Sequence, residues 1–212
     1  MTIEGYYNKK ASTYDLIFET LYYKVFDAIT WRFVEPNIPT KTDALILDAG
    51  GGTGRWAIRM AKKGCRVVLM DVSSEMLKIA AERAEKEKLK DKIILEKCNI
   101  AGTSYADETF DMVFCEHTLF LFNDPDIVLK ELWRILKRNC RLIVSVHNRY
   151  VQSLVSLPEE PSSQDVDGAI SVLLGEKHGT LNEHGQIKIY TWTPNEFRAF
   201  FLTPENHDCL TG

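Results

Sequence analysis

The sequence lacks a long hydrophobic run, a paired cysteine motif and an excess of positive charge. No uncharged apolar run approaches the roughly 18 residues that a membrane-spanning helix needs, so no membrane span is predicted. The five cysteines are widely spaced and none forms a Cys-x-x-Cys pair, which argues against a disulfide scaffold and against a metal site. The formal net charge of -4 gives no general attraction for nucleic-acid phosphates, so no nucleic-acid partner is predicted.

The composition provides enough apolar sequence for one sizeable core. Hydrophobic residues make up 45% of the 212 residues and charged residues 26%, which predicts a single folded domain. The N-terminus shows no basic-then-apolar signal region, and an odd number of unpaired cysteines suits a reducing compartment. These observations predict a soluble, cytoplasmic protein.

Short apolar runs alternate with amphipathic segments after Asp43. This alternation predicts an α/β fold, a doubly wound, Rossmann-like and mostly parallel sheet with helices on both faces. The strands are nearly continuous apolar runs, as expected when helices cover both faces. Strands are predicted at 44–47, 65–70, 92–98, 110–116 and 141–146, and helices at 55–63, from Ser73 or Ser74 to about 88, and at 124–136.

The predicted domain has four parts. Residues 1–40 form a helical cap rich in Tyr, Phe and Trp, and residues 41–148 form the α/β core, whose strand ends are considered next as a ligand site. Residues 149–190 form a variable insertion, because so long a connection in a compact domain is usually functional or mobile. Residues 191–212 form a C-terminal helix and tail, in which Thr193-Pro194-Asn195-Glu196 has the pattern of a capped helix start.

A glycine-rich turn follows the first predicted strand. Its sequence is Asp48-Ala49-Gly50-Gly51-Gly52-Thr53-Gly54, and Asp71 follows the second strand. In a parallel sheet both positions lie at the edge where ligands bind. Glycines allow close backbone approach to a ligand, and an acid at the second strand can accept hydrogen bonds from both hydroxyls of a ribose. These residues predict a ligand that contains a nucleoside.

Two other nucleotide motifs do not fit this turn. In the dinucleotide fingerprint, starting at Gly50 puts Arg55 in the third glycine position, and starting at Gly51 puts Thr53 in the second. The P-loop is excluded because no Gly-Lys-Ser/Thr follows. An acid directly before the turn, Asp48, suits a ligand with a positively charged amino-acid end better than a pyrophosphate.

The stretch Leu47 to Gly54 resembles the first motif of class I S-adenosylmethionine (SAM)-dependent methyltransferases. It is especially similar to the small-molecule branch related to the ubiquinone/menaquinone biosynthesis methyltransferases. Four further stretches resemble the family in the right order; they are Tyr6 to Asp15, Asp71 to Leu77, Phe110 to Phe114, and Leu129 to Lys137. The resemblance implies SAM as the cofactor and transfer of its methyl group to a small-molecule acceptor by direct displacement.

The resemblance also implies a set of cofactor-binding residues. Asp48 would help to hold the ammonium group, Gly50 and Gly52 would lie against the methionine part, and Asp71 would bind the ribose hydroxyls. Asn99 would read the adenine amine, although the family usually has Asp there. The full set is Tyr14, Asp48, Ala49, Gly50, Gly51, Gly52, Asp71, Val72, Met76, Asn99, Ile100, Glu116 and His117.

The remaining implied roles concern adenine packing and the acceptor. Val72 and Met76 would pack on the adenine, with Ile100 at its edge. Glu116 and His117 would flank the methionine end and the acceptor, and Tyr14 would close over the cofactor. His117 and His147 follow the fourth and fifth strands and are the candidates for a general base, which is needed only if the acceptor loses a proton early.

Alternatives exist for each of these assignments. The glycines could form a purely structural turn, Asp71 could only cap a helix, Tyr14 could be a core residue, and either histidine could be structural. The domain as a whole could be a non-catalytic regulatory module that binds SAM or its product. A nucleotide-dependent oxidoreductase is disfavoured by the glycine spacing.

The C-terminus is shorter than the family pattern. The family normally places two further strands after the last helix, but only about eleven residues follow Phe201. The C-terminal strands are therefore expected to be missing or truncated. The outer edge of the fifth strand would then be uncovered, which motivates the hypothesis of a homodimer.

Overall fold

The computed structural model describes residues 2–149, 151, 157–158, 160–174, 178–180 and 188–201. They belong to two compact units. One contains Met1–Glu116 and Ile127–Val144, and the other contains His117–Asp126 and Ser145–Gly212. The predicted boundaries at 40, 148 and 190 stay a prediction.

The first unit is built on a parallel sheet of five strands in the order β3-β2-β1-β4-β5. The strand order reverses between β1 and β4, which is where open α/β sheets bind their ligands. The doubly wound, Rossmann-like fold predicted from the sequence is confirmed. The strands are β1 Leu45–Ala49, β2 Arg66–Asp71, β3 Ile93–Lys97, β4 Phe110–Cys115 and β5 Leu136–Val144.

Helices connect β1 to β2, β2 to β3 and β4 to β5, and two more helices precede β1. Ser73 rather than Ser74 caps the helix after β2, because its Oγ accepts a hydrogen bond from the backbone N–H of Met76 at 3.1 Å. The helices are α1 Ile3–Tyr14, α2 Leu21–Val34, α3 Arg55–Lys62, α4 Ser74–Lys86 and α5 Pro125–Arg134.

The core of the first unit lies between the sheet and its helices. Ile46, Val67, Leu69 and Met112 are completely buried strand residues of this core, and Trp56 of α3 packs against them. The three central strands β1, β2 and β4 are almost entirely buried, whereas β3 and β5 are partly exposed. This core fixes the carboxyl ends of β1, β2 and β4, which carry the predicted site residues.

The junction between α5 and β5 differs from the prediction. The helix ends at Arg134 and the strand begins at Leu136, whereas Leu136 was predicted to be helical. Ile135 and Leu136 fit helical spacing, but the Phe110 N–H donates to the Ile135 carbonyl at 2.9 Å and Phe110 pairs with Leu136 in the sheet. Strand pairing therefore outweighs the helical pattern.

The N-terminal region is helical as predicted, but it is interrupted. A 3-10 helix at Asp15–Glu19 separates α1 from α2. Thr20 then caps α2, since its Oγ1 accepts a hydrogen bond from the Tyr23 N–H at 3.4 Å. The helical spacing of the apolar residues did not reveal this break, because a 3-10 turn keeps nearly the same spacing.

The second unit contains regular structure within the variable insertion that was predicted at residues 149–190. A helix, α6, spans Ser163–Leu174, and two short antiparallel strands follow, β6 His178–Thr180 and β7 Lys188–Tyr190. The last helix, α7, spans Pro194–Phe201. Thr193 and Glu196 form the predicted capping box, with the Glu196 N–H donating to Thr193 Oγ1 at 3.2 Å.

The strand β5 is an outer strand of the sheet in the described part of the chain. The residues after Phe201, on which the truncation prediction depends, lie outside the described residues. The homodimer therefore stays a hypothesis. Of the helices that the structure describes, none has the length and apolarity to cross a membrane.

Candidate functional site

The backbone of the glycine-rich turn adopts conformations that favour glycine. Gly50, Gly52 and Gly54 have φ values of 74°, 54° and 80°. The N–H groups of Gly50 and Gly51 donate to the Met70 carbonyl at 2.8 and 3.1 Å, so the turn is held against the end of β2. Gly54 occupies the N-cap position of α3 without a side-chain cap, and the positive end of that helix faces the turn.

Gly51 packs directly on Asp48. A Cβ at Gly51 would lie 2.7 Å from Asp48 Oδ2 and 2.6 Å from Leu69 Cγ. Such distances are shorter than any normal contact, so no other residue fits without displacing the carboxylate. The glycine thus leaves Asp48 the space that its side chain needs.

Asp48 is a buried carboxylate with an unsatisfied oxygen. It is 1% exposed, and it accepts a hydrogen bond from the backbone N–H of Ala57 in the first turn of α3. Among the residues that the structure describes, its Oδ2 has no hydrogen-bond partner. Burial raises the pKa of Asp48 from 3.8 to about 7, and the nearby charge of Glu116 adds to this increase. A cationic ligand beside this carboxyl group would favour its ionised form and lower its pKa.

Glu116 is the second acid at this edge of the sheet. It directly follows β4, and its Oε2 accepts a hydrogen bond from the indole N–H of Trp56 at 3.2 Å. Burial raises the pKa of Glu116 to about 7, against the lowering effect of that hydrogen bond and of Arg55. Glu116 and Asp48 thus make the surroundings of the turn favourable to positive charge.

Asp71, at the end of β2, is held by backbone groups. Its Oδ2 accepts from the Gly52 N–H at 3.0 Å, and its Oδ1 accepts from the Ser73 N–H at 2.8 Å. Burial nevertheless raises the pKa of Asp71. Asp71 therefore joins the turn to the start of α4, and its orientation is fixed before any ligand arrives.

The first helix packs over this region. Asn8 Oδ1 accepts hydrogen bonds from the Ser73 hydroxyl at 2.7 Å and from the Glu75 N–H at 3.3 Å. Tyr14 reaches the turn, because its Cε1 lies 4.0 Å from where a Cβ of Gly52 would be. Burial raises the pKa of Tyr14, so its hydroxyl stays protonated. Helix α1 thus brings an aromatic face beside the turn.

The predicted adenine residues lie on the adjoining segments. Met76 is buried at 1% exposure and Ile100 at 3%, whereas Val72 is partly exposed. Asn99 is exposed, and its Oδ1 accepts from the Ala101 N–H at 3.0 Å. The oxygen that was predicted to meet the adenine amine therefore already has a local partner, although a carbonyl oxygen can accept twice.

The two candidate histidines belong to the second unit. Their ring centroids lie 5.8 Å apart, and the His147 ring lies 3.9 Å from that of Phe120. His117 has a positive φ of 52°, and its N–H donates to Ser145 Oγ at 2.8 Å. The structure thus places His117 beside His147, as expected for residues that follow neighbouring strands.

Sequence reasoning missed several residues that support the site. Asn8 lies within the stretch that resembles the family, but its polar side chain gave no sign of its partner 65 residues away. Trp56 lies in α3, just after the glycine-rich turn, and its sequence position indicates only a core residue. Arg55 lies with its guanidinium carbon 3.3 Å from the centre of the Phe18 ring and pairs with Asp27. These contacts join distant segments, and no local pattern indicates them.

Comparison with known proteins finds similarity to methyltransferases. Residues 47–144 match the family model described as a methyltransferase domain. Over 142 residues the chain is 29% identical to the ubiquinone/menaquinone biosynthesis C-methyltransferase UbiE of Rhizobium rhizogenes, covering 65% of this chain and 55% of that protein. It is 32% identical over 106 residues to the tRNA 5-carboxymethoxyuridine methyltransferase of Escherichia coli, covering 50% of this chain and 41% of that protein. The chain thus spans about half the length of these relatives.

Solved structures share the fold. A SAM-dependent methyltransferase from Methanosarcina mazei has a TM-score of 0.63 at 21% identity, covering 80% of this chain and 82% of that chain. The geranyl diphosphate C-methyltransferase of Streptomyces coelicolor, solved with S-adenosyl-L-homocysteine (SAH), has a TM-score of 0.58 at 15% identity, covering 83% of this chain and 59% of that chain. At these identities the likeness shows the fold.

Proposed function

We propose that this chain, whose residues 47–144 match the family model of a methyltransferase domain, transfers the methyl group of SAM to a small-molecule acceptor by direct displacement. The observation that supports this most is the unsatisfied Oδ2 of buried Asp48 beside the glycine-rich turn. A cation at this position would stabilise the ionised carboxylate. An ammonium group has the charge and the donors to do so.

The residues of the first unit fit the parts of SAM. Asp48 would hold the ammonium, and the turn at Gly50 to Gly52 leaves room for the methionine part. Asp71 has both oxygens engaged by backbone N–H groups, yet each carboxylate oxygen can accept a second hydrogen bond, here from a ribose hydroxyl. Met76 and Ile100 provide an apolar contact for the adenine.

The proposed reaction requires the protein mainly to orient the acceptor towards the methyl group. Bound SAM supplies an electrophilic methyl group on a sulfonium. The chain's own residues then orient the acceptor and exclude water, which in favourable cases contributes roughly 7–11 kcal/mol. Tyr14 places an aromatic face next to the turn, which would also favour a sulfonium. His117 or His147 would serve as the base for an acceptor that must lose its proton.

Two observations support a small-molecule acceptor rather than an RNA. The net charge of -4 provides no general attraction for phosphates. The relative UbiE matches a longer part of this chain, 142 residues, than the tRNA-modifying relative, 106 residues. A regulatory module that binds SAM without turnover is the second candidate, because Asp48 and Asp71 would bind SAM with or without methyl transfer.

Calorimetric titration of the whole protein with SAH and with NADH tests the cofactor assignment. We expect SAH to bind and NADH not to bind, with Asp71→Ala weakening SAH binding at least tenfold and the exposed Asp91→Ala serving as the matched control. Absence of SAH affinity in the unmutated protein would contradict the proposal. A screen of small molecules and of tRNA for SAH release then separates an enzyme from a sensor, and one acceptor class from the other.

A further inference from the structure

Thr53 is a buried polar residue inside the glycine-rich turn. It is 1% exposed, and Gly52 and Gly54 on either side of it have φ values of 54° and 80°. Its hydroxyl donates a hydrogen bond to Asp15 Oδ1 at 2.8 Å and accepts one from Arg83 Nη1 at 3.4 Å. The side chain between the two glycines is therefore held by partners from outside the turn.

Arg83 and Asp15 also pair with each other. Arg83 Nη2 donates to Asp15 Oδ2, so that each of the three side chains contacts the other two. The side chains of Arg83 and Asp15 are 29% and 34% exposed, so solvent screens their charges only in part. Thr53, Asp15 and Arg83 are called the Thr53 bridge. A closed set of contacts of this kind fixes its members more firmly than an isolated surface ion pair does.

The Thr53 bridge joins three segments that are distant in sequence. Asp15 directly follows α1, Thr53 lies in the turn, and Arg83 lies in the last turn of α4. Residues three apart share one face of a helix, and Ala80 of α4 packs against the turn, 3.2 Å from where a Cβ of Gly54 would be. Arg83 therefore reaches the turn from the same face. The bridge fixes the end of α1 relative to the turn and to α4.

Tyr14 is the residue whose place depends on this fixed end. It is the last residue of α1, and its Cε1 lies 4.0 Å from where a Cβ of Gly52 would be. Asp15 is the next residue after Tyr14, and Thr53 is the next residue after Gly52. The hydrogen bond between Asp15 and Thr53 thus ties together the two backbones that carry the ring and the turn. A shift of Asp15 would move the ring away from the turn.

The position of this ring matters because SAM and SAH differ in charge. SAM carries a sulfonium where SAH has an uncharged thioether. The face of an aromatic ring attracts a cation within about 6 Å of its centre, and a neutral sulfur lacks that electrostatic attraction. A ring held beside the turn would therefore contribute more to the binding of SAM than to the binding of SAH.

We propose that the Thr53 bridge positions the Tyr14 ring beside the bound cofactor and thereby favours the substrate SAM over the product SAH. The inference rests on the proposed methyl transfer, because it requires SAM to lie along the glycine-rich turn. The three residues of the bridge are positioning residues, since they act through Tyr14. Their effect is to weaken the hold on the product relative to the substrate, which assists release of SAH after the transfer.

A purely structural bridge would give a different result. Arg83 lies in the last turn of α4, where a positive charge stabilises a helix whatever its contacts. Loss of a structural bridge would lower the melting temperature and would weaken the binding of SAM and of SAH by the same factor. The ratio of the two dissociation constants therefore separates positioning from stability.

Calorimetric titration of the whole protein with SAM and with SAH measures this ratio. Thr53→Val keeps the shape of the side chain and removes the hydroxyl. We expect it to raise the dissociation constant of SAM at least threefold more than that of SAH. Thr53→Ser keeps the hydroxyl and should keep the ratio of the unmutated protein.

Two variants of α4 provide a second test and its control. Arg83→Lys keeps the positive charge at the helix end but loses the fork that contacts two partners, so it should change the ratio in the same direction as Thr53→Val. Glu87→Gln removes the ion pair with Lys62 at the same end of α4 and should leave the ratio unchanged. Thermal unfolding establishes that each variant folds, and Arg83→Lys decides the matter if Thr53→Val does not fold.

Variants of Tyr14 test whether the bridge acts through the ring. Tyr14→Leu should change the ratio as much as Thr53→Val, and the double variant should change it no further. Tyr14→Phe keeps the aromatic face and should keep the ratio.

An unchanged ratio in Thr53→Val and Arg83→Lys would overturn the positioning role, and so would effects of Thr53→Val and Tyr14→Leu that add in the double variant. Absence of affinity for both ligands in the unmutated protein would refute the methyl transfer and the positioning together. Binding of both ligands with a ratio that none of the variants changes would refute the positioning alone.

Discussion

Asp48 and Asp71 end adjacent parallel strands, but their surroundings differ. Asp71 has a backbone N–H on each oxygen, from Gly52 and from Ser73. Asp48 is more deeply buried, and its Oδ2 has no hydrogen-bond partner in the part of the chain that the structure describes. Backbone groups thus satisfy both oxygens of Asp71, whereas one oxygen of Asp48 is left for the ammonium group that we propose it binds. The difference teaches that two acids at equivalent strand ends can differ in how far the protein itself satisfies them.

The largest expected effect comes from filling the space beside Asp48. In Gly51→Ala the new methyl group would lie 2.7 Å from Asp48 Oδ2 and 2.6 Å from Leu69 Cγ. We expect overpacking to cost about 1–3 kcal/mol of unfolding free energy and SAH binding to fall below detection. Thermal unfolding and calorimetric titration measure the two effects.

Gly102→Ala is the control for this variant, since a Cβ there meets no atom within 4 Å. It should leave both the melting temperature and the SAH affinity close to those of the unmutated protein. If Gly51→Ala bound SAH normally, the Asp48 side of the turn would not be the ammonium site.

The next effect is a pH dependence that belongs to Asp48. Its pKa rises from 3.8 to about 7 on folding, so between these values the folded protein keeps a proton that the unfolded chain has lost. This group therefore stabilises the ligand-free folded protein most at low pH. Its contribution to the unfolding free energy should fall as the pH rises from 3.8 to about 7. Glu116 acts in the same direction.

Asp48→Asn removes the titrating group and isolates its share of this dependence. We expect its melting temperature to rise relative to the unmutated protein by several degrees between pH 5 and pH 8, while its SAH affinity falls at least tenfold. Melting curves that stay parallel across this range would contradict the assignment of the shift to Asp48.

The smallest effect concerns Ser73, which serves Asp71 and α4 with different atoms. Ser73→Ala removes the Oγ that caps α4 and donates to Asn8, but it keeps the N–H that holds Asp71. We expect a loss of about 1 kcal/mol in unfolding free energy, or roughly 2–4 °C in melting temperature, with little change in SAH affinity. Ser74→Ala is the control and should change neither; a large loss of affinity in Ser73→Ala alone would show that the hydroxyl itself serves the site.

The sheet could be predicted because each of its central strands has a recognisable local sequence pattern. Leu45 to Leu47 and Val67 to Leu69 are short apolar runs, and each is followed by an acid or a glycine at the edge that binds ligands. The start of β5 could not be predicted in this way. Leu136 has a helical neighbourhood in sequence, and only its pairing with Phe110 on another strand assigns it to the sheet.

The candidate site likewise contains features that local sequence patterns indicate and features that depend on distant contacts. Asp48, Asp71 and the glycines were predicted, because the chemistry of a nucleoside site restricts the residue types at fixed spacings. The unsatisfied Asp48 oxygen and the hydrogen bond from Trp56 to Glu116 could not be, because both depend on where distant side chains pack. The role of Asn8 depends in the same way on α1 reaching the start of α4.

The contact of Asn8 also affects the order in which the molecule assembles. Asn8 is synthesised before its partners Ser73 and Glu75, which follow 65 and 67 residues later in the chain. Helix α1 therefore cannot take its final position until β2 and α4 have been made and joined, and closing so long a loop is slow. We expect α1 to be among the last parts to gain protection from hydrogen exchange during refolding, so that the covered side of the turn is completed last.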